Sequence, residues 1–308
     1  MKNLNFSRFA GVLLGGITSF SWAATVPKDS YLMRPSSETV KQRQAVFALS
    51  QSKDPQAAAP QLMAALTAKD PMTRTLAVRG LGRLKAADAE PKLEAILAND
   101  PYPEVREAAA TSLREIESPN AVDALGKALS DEATTVRLTA LSGLAHYRDA
   151  KVRTLVEAVT KDKSVEVRRT AVYVLGQLDD PKAGPVIQDL LKDPDSGVRA
   201  GAAQALGELH TAPSKTALLP LLKDPDKGVR AVAARSLLML GDNSGFETAK
   251  TLANDADHNV QVIAIDALGW SKNTEAETEL QALLSQAAPE NRRMIQEALT
   301  RTQQLRKQ

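Results

Sequence analysis

The sequence contains no cysteine and few aromatic residues: two Trp, four Tyr and five Phe among 308 residues. The absence of cysteine excludes disulfide bonds, thiolate metal sites and a cysteine nucleophile. Lys and Arg number 39 and Asp and Glu 37, so the net charge of +2 provides no general attraction to nucleic acid or to a membrane surface. Hydrophobic residues make up 43% of the chain although aromatics make up 4%, a composition that favours helices rich in Ala and Leu.

An apolar run near the N-terminus predicts an export signal. Lys2 and Arg8 precede an apolar stretch over residues 9–20, and small residues that suit cleavage after Ala23 follow it. This order is typical of a secretory signal peptide, and the stretch is too short to cross a bilayer comfortably. Cleavage would leave 37 residues of each charge. We therefore expect an exported protein with no membrane insertion after cleavage, in the bacterial periplasm or secreted; an uncleaved anchor is the alternative.

Arginine recurs every 31 residues along the rest of the chain. The marker arginines are Arg106, Arg137, Arg168, Arg199 and Arg230. The same spacing reaches Gln261 and Arg292 downstream and, after a slip of one residue, Arg74 and Arg43 upstream. Such a period indicates a fold built by stacking similar units.

The residues around each marker predict a helix. Val stands one residue before it, Ala three after it and Leu seven after it, as in Val105, Ala109 and Leu113, and an apolar residue often follows at position ten. These positions lie on one face of an α-helix. A second helical stretch, such as residues 186–191, precedes each marker. Each unit is therefore predicted to be two antiparallel helices that bury their apolar faces by stacking.

An aspartate stands six residues before the marker in six consecutive units. We interpret the Asp and Arg columns as structural, because a catalytic residue would not be copied into every unit. The aspartate is predicted to cap the following helix and to pair with an arginine of the same or a neighbouring unit. The predicted ladder consists of Asp100, Arg106, Asp131, Arg137, Asp162, Arg168, Asp193, Arg199, Asp224 and Arg230.

This pattern, Asp followed by Val-Arg and then by Ala and Leu, resembles the HEAT repeat. The short period and the Leu-Gly pairs at 175–176, 206–207 and 268–269 resemble the HEAT-like repeats of phycobilisome lyases. The resemblance covers about residues 38–300 and implies an all-α fold, a right-handed α-solenoid of about eight two-helix repeats. The expected organisation is a signal peptide at 1–23, a lead-in and N-terminal cap helix at 24–51, HEAT-like repeats at 52–286, and a C-terminal cap helix and tail at 287–308.

No catalytic motif emerges from the sequence. His146, His210 and His258 occupy different phases of the repeat, and the His-Glu pairs by which a helical-repeat hydroxylase binds iron are absent. A Gly-rich phosphate loop and a Gly-x-Ser-x-Gly nucleophile motif are absent too. We therefore predict no metal, no cofactor and no enzymatic activity.

The outward positions of the second helix, at one, five and nine residues after the marker, vary between units. The resemblance implies that they line a concave face. Their mixed charge suits a protein partner better than nucleic acid. The predicted partner-binding residues are Arg79, Arg83, His146, Arg169, Tyr173, Gln177, Arg235, Met239 and Trp270. Tyr173, Arg235 and Trp270 are the expected anchors, since such residue types dominate interface energetics; a solvated face with incidental aromatics is the alternative.

These observations favour an exported, non-catalytic scaffold or adaptor that binds a partner protein along the concave face. The alternatives are a lyase-type enzyme subunit, a chaperone-like factor and a glycan-binding periplasmic protein. A lyase predicts a deep pocket at one end of the solenoid with converging polar groups. The partner's identity is not encoded in any motif of the sequence.

Overall fold

The computed structural model describes residues 35–118, 120–147, 150–210 and 212–307, so the predicted signal peptide lies outside the described residues. The chain divides into two compact units, Met1–Gln42 and Arg43–Gln308. The described part of the first unit holds the beginning of helix α1, Ser37–Ser50. The second unit holds the remainder of that helix and all the others, and the following paragraphs concern this unit.

Seventeen α-helices, and no strand, are found in the described residues. After α1 they alternate between first and second helices of eight units. The first helices are α2 (Pro55–Ala65), α4 (Glu90–Asn99), α6 (Ala121–Ala128), α8 (Ala150–Glu157), α10 (Gly184–Leu190), α12 (Ala212–Leu218), α14 (Phe246–Leu252) and α16 (Thr274–Gln286). The second helices are α3 (Pro71–Arg83), α5 (Pro103–Ile116), α7 (Thr134–Leu144), α9 (Val165–Gln177), α11 (Ser196–Glu208), α13 (Lys227–Met239), α15 (His258–Leu268) and α17 (Pro289–Leu305).

The helices pack in two layers. Each second helix packs against the second helix of the next unit, from α3 on α5 to α15 on α17, and most units also pack their own two helices together. No unit completes its own core, because every second helix from α5 to α15 is covered by neighbours on both sides. This arrangement confirms the predicted α-solenoid of about eight two-helix units.

The repeated apolar positions form the core. Val105, Ala109 and Leu113 are completely buried, and the equivalent residues of the other units are buried in the same way. The tenth position behaves differently: Ile116 and Tyr147 are only half-buried. The reason is that this position falls at or beyond the end of the second helix, where packing against the next unit stops.

Glycine at position eight after the marker allows consecutive second helices to approach closely. A Cβ added at Gly207 would lie 2.7 Å from the Cβ of Ser236, and one added at Gly269 would lie 2.9 Å from the Cα of Ala298. Real Cβ atoms do not approach neighbours this closely, so a larger residue would push the helices apart. The Leu-Gly ending of the repeat is thus a packing feature.

The buried residues fall into two clusters that meet in α13. Val229 and Leu237 belong to the cluster that extends back to Val46, whereas Ala231 and Leu238 belong to the one that extends to Leu299. Helix α13 contributes one side to each cluster. The apolar interior therefore passes through this helix from the earlier units into the last two.

The second helices end in a shared backbone conformation. Eleven residues after the marker the chain adopts positive φ, at Lys85, Glu117, Asp179, His210 and Gly241. Left-handed residues of this kind end a helix and redirect the chain, and glycine adopts the conformation at lowest cost. Only one of these five positions carries glycine, so four side chains are held in a backbone region they disfavour.

None of the helices in the described part of the chain combines the length and apolarity that a bilayer crossing requires.

Candidate partner-binding face

Six bidentate ion pairs join α1 to the first unit and the first six units to one another, at the turn between the two helices of a unit. In every pair the arginine Nε and Nη2 donate to the two carboxylate oxygens at 2.7–2.9 Å; the pairs are Arg43–Asp70, Arg74–Asp100, Arg106–Asp131, Arg137–Asp162, Arg168–Asp193 and Arg199–Asp224. Planar, two-point pairing of this kind fixes orientation as well as distance. The six pairs, called the ladder below, therefore fix the register of successive units.

The ladder arginines from Arg74 to Arg199 also donate hydrogen bonds within their own units. Arg106 Nη1 donates to the main-chain oxygen of Asp100 at 2.8 Å, and Arg137, Arg168 and Arg199 make the same contact at 2.9 Å. The sequence allowed pairing within a unit or between neighbours. The structure contains both: the carboxylate partner comes from the next unit and the carbonyl partner from the same unit.

The prediction that the ladder aspartate caps the following helix is wrong in the regular units. The Asp193 carboxylate accepts the main-chain N–H of Asp195 at 2.9 Å, and Asp195 in turn accepts the N–H of Val198 at 2.9 Å. Asp195 is therefore the N-cap, as it stands immediately before α11. Asp193 lies two residues too early to reach the free N–H groups of the first turn.

The ladder contacts lower the pKa of Asp70, Asp162, Asp193 and Asp224. The hydrogen bond from Arg43 lowers the pKa of Asp70 to about 2. Burial, the largest single influence, would raise the pKa of Asp162, Asp193 and Asp224. The hydrogen bonds from arginine and from main-chain N–H groups, together with the arginine charge, outweigh burial, so each pKa lies below its ordinary value. These carboxylates stay charged at neutral pH and are engaged in holding units together.

The ladder ends at Arg230. Its Nη1 donates to the main-chain oxygens of Asp224 and Pro225 at 2.6 and 3.1 Å. The aspartate expected to receive it, Asp255, is instead paired with Lys227 at 2.7 Å, and that lysine side chain is 55% exposed. The next marker position is Gln261. The last two interfaces between units therefore lack a bidentate arginine–aspartate pair of the ladder type.

The predicted partner-binding residues separate into two groups. Those of the first units are exposed and are called the open stripe: Arg79, Arg83, His146, Arg169, Tyr173 and Gln177. Tyr173 is 41% exposed, so a large aromatic side chain lies on this surface. The remaining three residues, Arg235, Met239 and Trp270, are half-buried. Their access to a partner is correspondingly reduced.

Three residues of the open stripe already have contacts. Arg83 Nη1 donates to Gln51 Oε1 at 2.8 Å, and His146 Nδ1 lies 3.0 Å from the main-chain oxygen of Ser142. Arg169 forms a bidentate pair with Asp195 at 2.7–2.8 Å. Its side chain is nevertheless 53% exposed, so a partner can still reach it without displacing the pair.

In the last three units the equivalent face is closed by contacts within the chain. Arg235 Nε donates to Asp266 Oδ2 at 2.6 Å, and its side chain is only 13% exposed. Arg301 Nη1 donates to Asp266 Oδ1 at 2.8 Å, and its guanidinium stacks over the Trp270 ring at 4.6 Å from the centroid. These four residues are called the terminal clamp. Arg235 and Trp270, expected to be partner anchors, thus hold α13, α15 and α17 together.

Arg301 is the residue that sequence analysis missed. It lies nine residues after the Arg292 marker, the same stripe position that Trp270 holds in the preceding unit. The prediction assigned residues 287–308 to a cap and did not extend the stripe into it. The repeat spacing itself was the signal that could have identified this arginine.

A cleft of about 620 Å³ adjoins the open stripe. It is formed at the carboxyl ends of α3, α5 and α7 by Arg83, Arg114, Glu115, His146 and Tyr147, together with the ion-paired Lys85 and Glu117. A more open cleft of about 540 Å³ lies beside the ladder and includes Arg74 and Tyr102. The first cleft shares Arg83 and His146 with the open stripe, so a molecule bound along the stripe would also pass it.

The three histidines lie apart on the repeat. His146 belongs to the open stripe, His210 follows α11, and His258 begins α15. In the described part of the chain, no three histidine, aspartate or glutamate side chains are grouped as metal ligands would be.

The stacked helix pairs, the ladder and the shared core positions define the class of protein: an α-solenoid of two-helix repeats. The model of the HEAT repeats matches residues 30–114, 90–159 and 152–238, which together exceed half of the chain. The chain belongs to the HEAT-repeat family. A comparison with curated proteins finds no match.

Solved structures with the same fold include YibA of Escherichia coli, with 21% identity and a TM-score of 0.61 over 88% of this chain and 98% of that one. The complex of CpcE and CpcF of phycocyanin lyase from a Nostoc species has 21% identity and a TM-score of 0.43, covering 82% and 97%. Human deoxyhypusine hydroxylase has 24% identity and a TM-score of 0.37, covering 67% and 81%. The likeness to YibA supports the fold alone, and the two lower scores carry no weight.

Proposed function

We propose that the protein is an exported, non-catalytic scaffold of the bacterial periplasm that binds a segment of a partner protein on the open stripe. The observation that carries this proposal is the contrast in exposure along one face. Within the region that the ladder joins, the side chains of the open stripe are accessible, whereas Arg235, Met239 and Trp270 further along the chain are half-buried. HEAT repeats generally mediate protein interaction, and export rests on the signal segment at residues 1–23.

The mechanism is a rigid surface that presents different side chains in fixed register. Packed helices lie about 8–10 Å apart, so each unit offers one set of outward residues at that interval. Tyr173 supplies an aromatic anchor, and Arg79, Arg83 and Arg169 supply charge. Because the core and the ladder already hold these helices, binding orders little of the scaffold, which lowers its entropic cost.

The test is capture of partners by the chain from residue 24 onward, mixed with native envelope extract, crosslinked and analysed by mass spectrometry. The test variant combines Tyr173→Ala with Arg79→Glu, two exposed positions at which the fold should tolerate change. The matched control is Tyr102→Ala, because Tyr102 is 37% exposed and lies at the turn edge, away from the open stripe.

A protein that is captured by the wild type and the Tyr102 control, and lost by the folded double variant, would support the proposal. Equal capture by the double variant would place the interaction elsewhere and overturn the role of the open stripe. If the wild type captures no protein at all, the scaffold function fails, and a lyase-type enzyme subunit or a glycan-binding protein becomes the better hypothesis.

A further inference from the structure

The cleft beside the open stripe gathers polar side chains from three successive units. Arg83, Arg114 and Tyr147 come from the carboxyl ends of α3, α5 and α7 or the residues just after them. The repeat places these helix ends side by side, although the side chains differ between units. Such convergence of different polar groups is what distinguishes a recognition site from a repeated packing feature.

The cleft holds hydrogen-bond donors that are not fully used. The Arg114 guanidinium lies 4.0 Å from Glu115 Oε1 and makes no hydrogen bond within the described residues. Arg83 uses one N–H, toward Gln51. The Tyr147 hydroxyl is shielded from solvent yet has no partner in the described part of the chain. A buried hydroxyl without a partner is unfavourable, and an acceptor bound beside it would remove that cost.

The acceptors in the cleft do not balance these donors. The Glu117 carboxylate already accepts from Lys85 at 3.0 Å, which leaves Glu115 against two guanidinium groups and a hydroxyl. Burial raises the pKa of Tyr147, and the carboxylates of Glu90 and Glu117 raise it further. The hydroxyl therefore stays protonated and can donate a hydrogen bond to an acceptor.

We propose that this cleft binds a carboxylate side chain, glutamate or aspartate, of an extended protein segment. The guanidinium groups of Arg83 and Arg114 form ion pairs with the carboxylate, and the Tyr147 hydroxyl donates a hydrogen bond to it. A single carboxylate fits better than phosphate, because Glu90 and Glu117 repel a doubly charged group more strongly. This inference rests on the proposed function and specifies the partner's chemistry, since the cleft shares Arg83 and His146 with the open stripe.

The probe is a fluorescein-labelled peptide of alternating glutamate and serine, titrated with the whole chain from residue 24 onward and followed by anisotropy. Its counterpart has glutamine in place of glutamate. We expect the glutamate peptide to bind at least about tenfold more tightly, and Arg114→Gln to remove about that factor.

Tyr147→Phe should weaken binding less while leaving the melting temperature unchanged or higher, because it deletes an unpaired hydroxyl. Arg293→Gln, an exposed arginine of α17, is the matched control and should bind like the wild type.

Equal affinity for the two peptides, or unchanged binding by a folded Arg114→Gln variant, would overturn the proposal. Displacement of the peptide by an equal concentration of inorganic phosphate would also overturn it, because the cleft would then be a general anion site. The two proposals fail separately. If partner capture is retained by Arg114→Gln but lost by the open-stripe variant, the scaffold function is supported and the carboxylate-binding cleft is rejected. If the glutamate peptide binds but no protein is captured, carboxylate binding by the cleft is supported and the scaffold function is rejected.

Discussion

The ladder units and the last two units hold their neighbours from different places. Between Arg43 and Asp224, α1 and the first six units are joined in succession by two-point ion pairs, mostly shielded from solvent, at the turn between helices. At the last two interfaces between units the ladder ion pair is missing. There the terminal clamp joins α13, α15 and α17 across their outward face, where Asp266 accepts hydrogen bonds from Arg235 and Arg301.

The difference teaches that the position of the charge pairs, more than the repeat itself, decides which surface is available. Both regions share the period, the buried Ala and Leu positions and the close helix approach. Pairs at the turn edge leave the side chains of the open stripe exposed, as at Tyr173, although other outward residues of that region, such as Glu107 and Gln204, are half-buried. Pairs on the outward face occupy the residue types that would otherwise recognise a partner, as at Arg235. The following predictions test this comparison, from the largest effect to the smallest.

Removing the centre of the terminal clamp should have the largest effect. Asp266→Ala leaves the guanidinium of Arg235, whose side chain is 13% exposed, without its carboxylate, and we expect a loss of about 3–5 kcal/mol in unfolding free energy by urea titration. The control is Glu297→Ala, which breaks the exposed pair with Arg293 and should cost less than about 1 kcal/mol. A similar small loss for both variants would show that the clamp does not hold the last units.

The ladder predicts a clear contrast between two marker arginines. Arg199→Gln leaves the Asp224 carboxylate, whose side chain is 9% exposed, without its bidentate arginine partner, and should cost about 3 kcal/mol. Arg230→Gln removes only hydrogen bonds to carbonyl oxygens and should cost about 1 kcal/mol. Urea titration of the two variants side by side measures the difference. Equal losses would mean that the pairing with the next unit adds nothing to stability.

Acid should weaken the ladder. The pKa of Asp70 is lowered in the folded protein to about 2, below its unfolded value, so its contribution is fully present above about pH 4 and is lost as the pH falls toward 2. That contribution is about 2 kcal/mol. The difference in unfolding free energy between the wild type and Asp70→Asn should therefore shrink over this interval. A constant difference across this pH interval would contradict an ionic contribution from the Arg43–Asp70 pair.

The smallest effect concerns the helix ends. Asp179 and Gly241 occupy equivalent positions with φ of 51° and 74°. Asp179→Gly should stabilise the fold by about 0.5–1 kcal/mol and Gly241→Asp should destabilise it by a similar amount, because glycine adopts this conformation without steric cost. Thermal unfolding of both variants measures the pair of shifts. Shifts of the same sign would show that neighbouring contacts outweigh backbone conformation there.

Much of the ladder could be predicted because its residues repeat at fixed offsets. The pairing Arg43–Asp70 was not anticipated, since Asp70 stands four residues before its marker, Arg74, at the point where the spacing slips by one residue. The pairing of Asp255 with Lys227, where the repeat predicts Arg230, was not predictable either. Both lysine and arginine lie within reach of that carboxylate, and side-chain geometry chooses between them.

The site was less predictable than the fold. Exposure of Tyr173 and Arg79 followed from helix periodicity. The burial of Arg235 depended on its pairing with Asp266, and the covering of Trp270 depended on Arg301, each about 30 residues further along the chain. A periodic pattern states which side of a helix a residue occupies. It does not state whether another part of the chain covers that side.

The sequence by itself determined the solenoid, its core positions and the columns of charge, because a repeat imposes the same local environment on equivalent residues. Tertiary structure decided which carboxylate each arginine pairs with, where the ladder stops and which outward residues stay exposed. Those outcomes depend on contacts between side chains of different units, whose distances and competing partners are set only when the units are stacked.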